Sequence, residues 1–186
     1  MVRPWIRPLI LAVVLASLFG CRSSVPNRDP VGEAFPQVTG TSLSGDAVTL
    51  PDAHAGEPLV LLVGYVQDAQ FDLDRWLLGL MQVDSSVARL EVPTIPGLMP
   101  GMAAGWIDDG MRSGIPREDW ASVVTLYDEA DPVLTLTGNE SPRNGRILLL
   151  DAAGRVVWFH DRGFSAGKLM ELDAAARTLA APAPAG

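Results

Sequence analysis

Pro58-Leu59-Val60-Leu61-Leu62-Val63-Gly64-Tyr65 (PLVLLVGY), followed at once by Val66-Gln67-Asp68-Ala69-Gln70-Phe71-Asp72, is the stretch on which the fold turns. The first part is a continuous apolar run without polar alternation, bounded by Glu57 on one side and Gln67-Asp68 on the other. Such a run reads as a strand covered on both faces, in the middle of a sheet. From Ala69 to Val83 the period changes. Phe71, Leu73, Trp76, Leu77, Leu80 and Met81 recur at helical spacings, Asp72, Asp74 and Arg75 supply a polar side, and Asp68 stands where an N-cap belongs. A central strand feeding directly into a helix is half of a βαβ unit.

Working outward, Gln37–Thr39 and Ala47–Leu50 flank the turn chemistry of Ser44-Gly45-Asp46 and predict an N-terminal β-hairpin. Ala88–Ile95 predicts the next strand, Gly101–Ser113 a glycine-weakened helix, Ser122–Tyr127 a short strand and Asp131–Leu136 a helical turn. Arg146–Asp151 and Arg155–His160 flank Asp151-Ala-Ala-Gly154 as a second hairpin. Ser165–Leu179 closes the unit as a helix capped by Ser165. The order is ββ, then β-α-β-α-β-α-β-β-α, an α/β domain.

Residues 1–21 carry an address rather than part of that domain. Arg3 and Arg7 precede an apolar run from Leu9 to Phe19, shorter than the roughly 20 residues a permanent span needs, and Gly20 precedes Cys21. Leu18-Phe19-Gly20-Cys21 resembles a bacterial lipobox, departing from it at the bulky Phe19, which implies that Cys21 is acylated and becomes the mature N-terminus. The other reading is a secretory leader or uncleaved anchor in which Cys21 is incidental. Residues 22–30, with serines, prolines and no apolar period, read as a tether, 31–179 as the folded domain, and 180–186 as an Ala/Pro tail.

Cys21 is the one cysteine of 186 residues, so disulfide frameworks, CxxC pairs and multi-cysteine metal sites are excluded, and an acylated Cys21 leaves no free thiol. A formal charge of −8 argues against a phosphate-collecting surface and hence against nucleic acid as a partner. No P-loop lysine follows the glycines of 97–105, no G-x-S-x-G is present, and His54 and His160 lack metal-ligand spacing.

The order of elements resembles the thioredoxin-like superfamily, particularly its peroxiredoxin and membrane-tethered thiol–disulfide branches. The matching stretches are Val31–Pro36, Ser42–Gly45, Leu59–Tyr65 and Leu148–Trp158. The resemblance implies a three-layer α/β/α domain with a mixed central sheet behind the N-terminal hairpin. It also implies where a redox cysteine belongs, at the turn from the central strand into the following helix, where the helix N-terminus would favour a thiolate. In this chain that turn, Val66–Asp72, has no cysteine, and Gly145 stands near the place of the superfamily's cis-proline. A second similarity, carried by Gly110–Ile115, Val123–Tyr127, Leu149-Leu150-Asp151 with Gly154 and Val157-Trp158, Gly163-Phe164-Ser165 and the stretch from Gly64 to Trp76, is to mitochondrial thioredoxin-fold assembly factors of the F-type ATP synthase, which implies an assembly or chaperone role.

The expectation is therefore a redox-inactive thioredoxin-fold lipoprotein of the bacterial envelope, bound to the membrane through Cys21 and to a protein partner, with no cofactor or metal. Its candidate binding surface is Tyr65, Gln67, Asp68, Gln70, Met99, Met102 and Arg112. The bland alternative makes Asp68 a cap, the glutamines solvated, and Met99 and Met102 core residues. An enzyme with a non-thiol site would draw on Tyr65, Gln67, Asp68 and Arg112. Intact mass of the membrane fraction should show a mature chain beginning at Cys21 and carrying acyl mass; a leader-bearing or unacylated chain would contradict the address.

Overall fold

The computed structural model describes residues 24–96 and 104–180. Cys21, Met99, Met102 and most of the Ala/Pro tail lie outside them. Eleven elements follow the predicted order: β1 (Val38–Ser42), β2 (Ala47–Leu50), β3 (Leu59–Gly64), α1 (Gln70–Gln82), β4 (Ala88–Pro93), α2 (Ala104–Gly114), β5 (Val124–Thr125), α3 (Ala130–Thr137), β6 (Arg146–Leu150), β7 (Val156–His160) and α4 (Ala166–Ala180).

The PLVLLVGY strand is central, as its composition requires. β3 pairs parallel with β4 and antiparallel with β6, and β7 closes the four-stranded order β4-β3-β6-β7. Because side chains alternate across a strand, Val60 and Leu62 join Ile147 and Leu149 on one face, while Leu59, Leu61 and Val63 join Leu148 and Leu150 on the other. The first face is covered by α1 and α4 through Leu73, Trp76, Leu80, Leu169, Leu172 and Ala176. The second is covered by α3 through Ala130, Val133 and Leu136, with Phe35, Val38 and Leu50 from the N-terminal region. These three layers match the expected architecture.

The hairpin does not stand alone. β1 pairs with both β2 and β5, and Glu91↔Val123 and Thr94↔Leu126 bridges carry the small sheet onto β4. Gly40 permits that junction, since a Cβ there would sit 2.7 Å from the Thr125 carbonyl oxygen. β5 is shorter than the predicted 122–127 strand because a 3₁₀ helix at Arg117–Ser122 occupies its approach.

Three local expectations need correction. Asp68 is not an N-cap: it lies in a 3₁₀ turn, Gln67–Ala69, and α1 begins after Ala69 without a side-chain cap. Phe71 and Met81 point away from the core, being 72% and 58% exposed, because about 100° per residue puts Phe71 opposite the Leu73, Trp76 and Leu80 stripe of α1 and Met81 at its edge. Asp72, assigned to the polar side, is buried. Its carboxylate accepts the Gly145 N–H at 2.9 Å and the Phe164 N–H at 2.6 Å, tying α1 to the approaches of β6 and α4. Removing those acceptors orphans two amides, so Asp72→Ala should lose about 2–4 kcal/mol in a urea titration, and Asp72→Asn, which keeps one acceptor oxygen, visibly less. Equal stability of Asp72→Ala and the parent chain would show that the clamp holds nothing.

Candidate functional site

At the C-terminal end of β3 the chain leaves the sheet through Val66, in extended conformation, and turns through Gln67–Ala69 into α1. The eight residues Gly138–Gly145 before β6 return to the same end, because Arg146 pairs with Val63. Two contacts join these segments: the Asp72–Gly145 hydrogen bond, and an exposed Asp68–Arg143 ion pair at 3.3 Å. Val66, which enters this turn, and Phe71, in the first turn of α1, are exposed at 43% and 72%. The rim continues through Gln70, whose Nε2 donates to Asp74 at 2.8 Å and which also bonds Glu91. Burial, opposed by that bond and aided by Asp74, pushes the Glu91 carboxyl above its usual range.

Beneath this surface lies a polar core that the sequence did not advertise. Arg146 has no solvent exposure at all. Its Nε donates to the Gly138 carbonyl at 3.1 Å, Nη1 to the carbonyls of Ser141 and Asn144 at 2.8 and 2.6 Å, and Nη2 to Asn27 Oδ1 at 3.1 Å. The guanidinium carbon sits 5.3 Å from the centroid of the Tyr65 ring, within cation–π range. The Tyr65 hydroxyl is 2.7 Å from Thr137 Oγ1, whose one proton is shared between the Val133 and Gly138 carbonyls, each 3.2 Å away. Tyr65 therefore supplies the proton of their shared bond. Arg146 heads an apolar strand in the sequence, and nothing in that pattern distinguishes a buried arginine from an exposed one at a strand end.

No protein-family model and no curated protein sequence matches the chain. Solved structures do. The exposed lipoprotein thioredoxin Etrx1 of Streptococcus pneumoniae superposes with a TM-score of 0.53 at 13% identity, covering 75% of this chain and 99% of that one. BsSco, a member of the Sco family of cytochrome c oxidase assembly proteins, gives 0.57 at 13% identity over 82% and 98%. A SCO1/SenC family lipoprotein from Bacillus anthracis gives 0.54 at 12% identity over 84% and 100%.

The fold is that of thioredoxin. In this thioredoxin fold the β3–α1 turn occupies the place the sequence resemblance assigned to a redox pair. Of the expected binding residues, Gln67, Asp68 and Gln70 line its exposed rim. Tyr65 does not: it is buried and serves as a wall for Arg146. Arg112 belongs elsewhere, with Nε on the Leu43 carbonyl at 2.9 Å, Nη1 on Asp109 and the Trp120 ring 5.8 Å away. Of the residues named for a non-thiol site, Tyr65 bonds Thr137 and stacks on Arg146, Asp68 pairs with Arg143, Arg112 bonds Leu43 and Asp109, and Gln67 is exposed. Met99 and Met102 lie outside the described residues. His160 ends β7 with its Nε2 2.9 Å from the Gly163 carbonyl oxygen and its ring against Trp76. Phe71 and Val66 are the surface residues that sequence reasoning missed; Phe71 fell on an apolar helical spacing and read as core.

Burial pushes the Tyr65 hydroxyl up to about 12. An unfolded tyrosine ionises near 10, so the folded state keeps its full advantage below about pH 10 and loses about 2–3 kcal/mol as pH rises to about 12. Chemical denaturation between pH 9 and 12 should show this fall on top of the one from Tyr127, whose hydroxyl is also pushed up by burial and by Asp108, and Tyr65→Phe should reduce the slope without abolishing it. An unchanged slope in Tyr65→Phe would place the alkaline sensitivity elsewhere.

Proposed function

We propose that this protein is a redox-inactive thioredoxin-fold lipoprotein of the bacterial cell envelope, anchored through acylated Cys21, that works by binding a protein partner in the assembly of a membrane complex. The observation that carries the reading is the β3–α1 turn. The resemblance to thioredoxin-like proteins implies a thiol at this turn, whereas this chain carries exposed Val66 and Phe71 and the Asp68–Arg143 pair there. An apolar centre with a charged rim is the anatomy of a protein-binding patch. The names of the structural neighbours support the setting: Etrx1 and the Bacillus anthracis protein are described as lipoproteins, and BsSco as belonging to assembly proteins. Among the described residues no helix is long and apolar enough to cross a membrane; in this reading the acyl chain on Cys21 supplies the attachment.

The purified acylated chain should neither reduce insulin disulfides nor consume peroxide. Crosslinking in native membranes, followed by partner identification, should yield a protein adduct that Phe71→Ser and Val66→Ser each reduce several-fold without lowering the melting temperature. Thiol-dependent turnover, or an adduct indifferent to both substitutions, would contradict the proposal.

A further inference from the structure

The stretch 22–30 reads from sequence as a tether, yet its described part is bonded to the domain. The Val25 N–H donates to Asn139 Oδ1 at 2.8 Å and its carbonyl accepts the Asn139 N–H at 2.8 Å. The Asn27 N–H donates to Glu140 Oε2 at 3.0 Å, and Asn27 Oδ1 accepts both the Glu140 N–H at 2.8 Å and the Arg146 guanidinium. Pro26 packs so tightly over Gly138 that a Cβ there would collide with its carbonyl, and Gly138 also has a positive φ of 69°. Residues 25–28 therefore lie against the 137–140 segment, at the same end of the sheet as the β3–α1 turn. Farther on, the chain reaches the opposite end, where the Gly32 N–H bonds the Val156 carbonyl and the Phe35 N–H bonds the Gly154 carbonyl.

This docking fixes a geometry. A free chain from Cys21 to Val31 would let the domain wander roughly 35 Å from its anchor, whereas the steps from Cys21 to Val25 span at most roughly 14 Å. We propose that Val25–Arg28 is a strap that seats the domain on the bilayer with the β3–α1 turn and the 138–145 loop turned toward the lipid headgroups. The β3–α1 turn then lies in the membrane-proximal layer, so the protein partner is met there, beside the headgroups. The inference rests on the acylation of Cys21 set out above.

The test uses the full chain in vesicles of phosphatidylethanolamine and phosphatidylglycerol containing a headgroup nitroxide lipid. With Cys21 acylated, Ser141→Cys or Ala153→Cys supplies a single thiol for a fluorophore, the first beside the strap and the second in the β6–β7 turn at the other end. Quenching should be several-fold stronger at position 141. Insertion of about ten Gly/Ser residues between Cys21 and Ser24, which leaves the docked residues intact but restores a long tether, should remove the difference. Equal quenching in the acylated parent, stronger quenching at 153, or a difference that survives the insertion would overturn the strap while leaving the lipoprotein reading in place. A chain whose mass shows no acyl group on Cys21 would overturn both.

Discussion

A guanidinium without solvent contact is the constraint around which one end of this molecule is built. Taking an unpaired charge out of water costs several kcal/mol unless the surroundings restore its hydrogen bonds. Arg146 meets that requirement with hydrogen bonds to main-chain carbonyls and an amide oxygen and with an aromatic face, and the Asp161 carboxylate adds an attraction of its own. Carbonyls can be aimed at the guanidinium only if the chain that carries them is bent around it. The 138–145 loop accordingly curls back so that Gly138, Ser141 and Asn144 converge, Tyr65 turns inward to form a wall, and Asn27 is drawn from the N-terminal segment to complete the set.

Asp72 performs the complementary task on the other side of β6. An acceptor-only carboxylate satisfies the amides of Gly145 and Phe164, which enter their elements where no neighbouring strand or helix turn is available to them. Between Arg146 and Asp72, four segments distant in sequence are fixed at the C-terminal end of β3. Val66, Phe71 and the Asp68–Arg143 pair belong to this same end of the molecule.

Much of the architecture was legible because it follows from patterns that local physics enforces. PLVLLVGY has no polar face to give to water, so it had to be central; Asp151-Ala-Ala-Gly154 had to turn, and it does so with Asp151 Oδ1 accepting the amides of Ala153 and Arg155. What stayed hidden involves polar residues whose partners lie far away in the chain. Asp72 is separated from Gly145 by 73 residues and from Phe164 by 92, and its helical position gave it a solvent-facing reading. Phe71 failed in the opposite sense: about 100° per residue puts it on the side of α1 opposite Leu73, Trp76 and Leu80, so counting it with them overstated the width of the apolar face. Tyr65 entered the candidate surface because it ends the central strand, but its hydroxyl turns under the loop to Thr137.

If Arg146 organises this end of the molecule, the strap and the loop must share one fate. Native-state hydrogen exchange on Arg146→Met, under conditions where circular dichroism shows the sheet intact, reads that coupling segment by segment. The amides of Val25, Asn27, Asn139 and Glu140 should lose protection together, while those of β3 and β6 away from Arg146 keep theirs. Unchanged protection of the strap and loop, or a uniform loss throughout the domain, would contradict it.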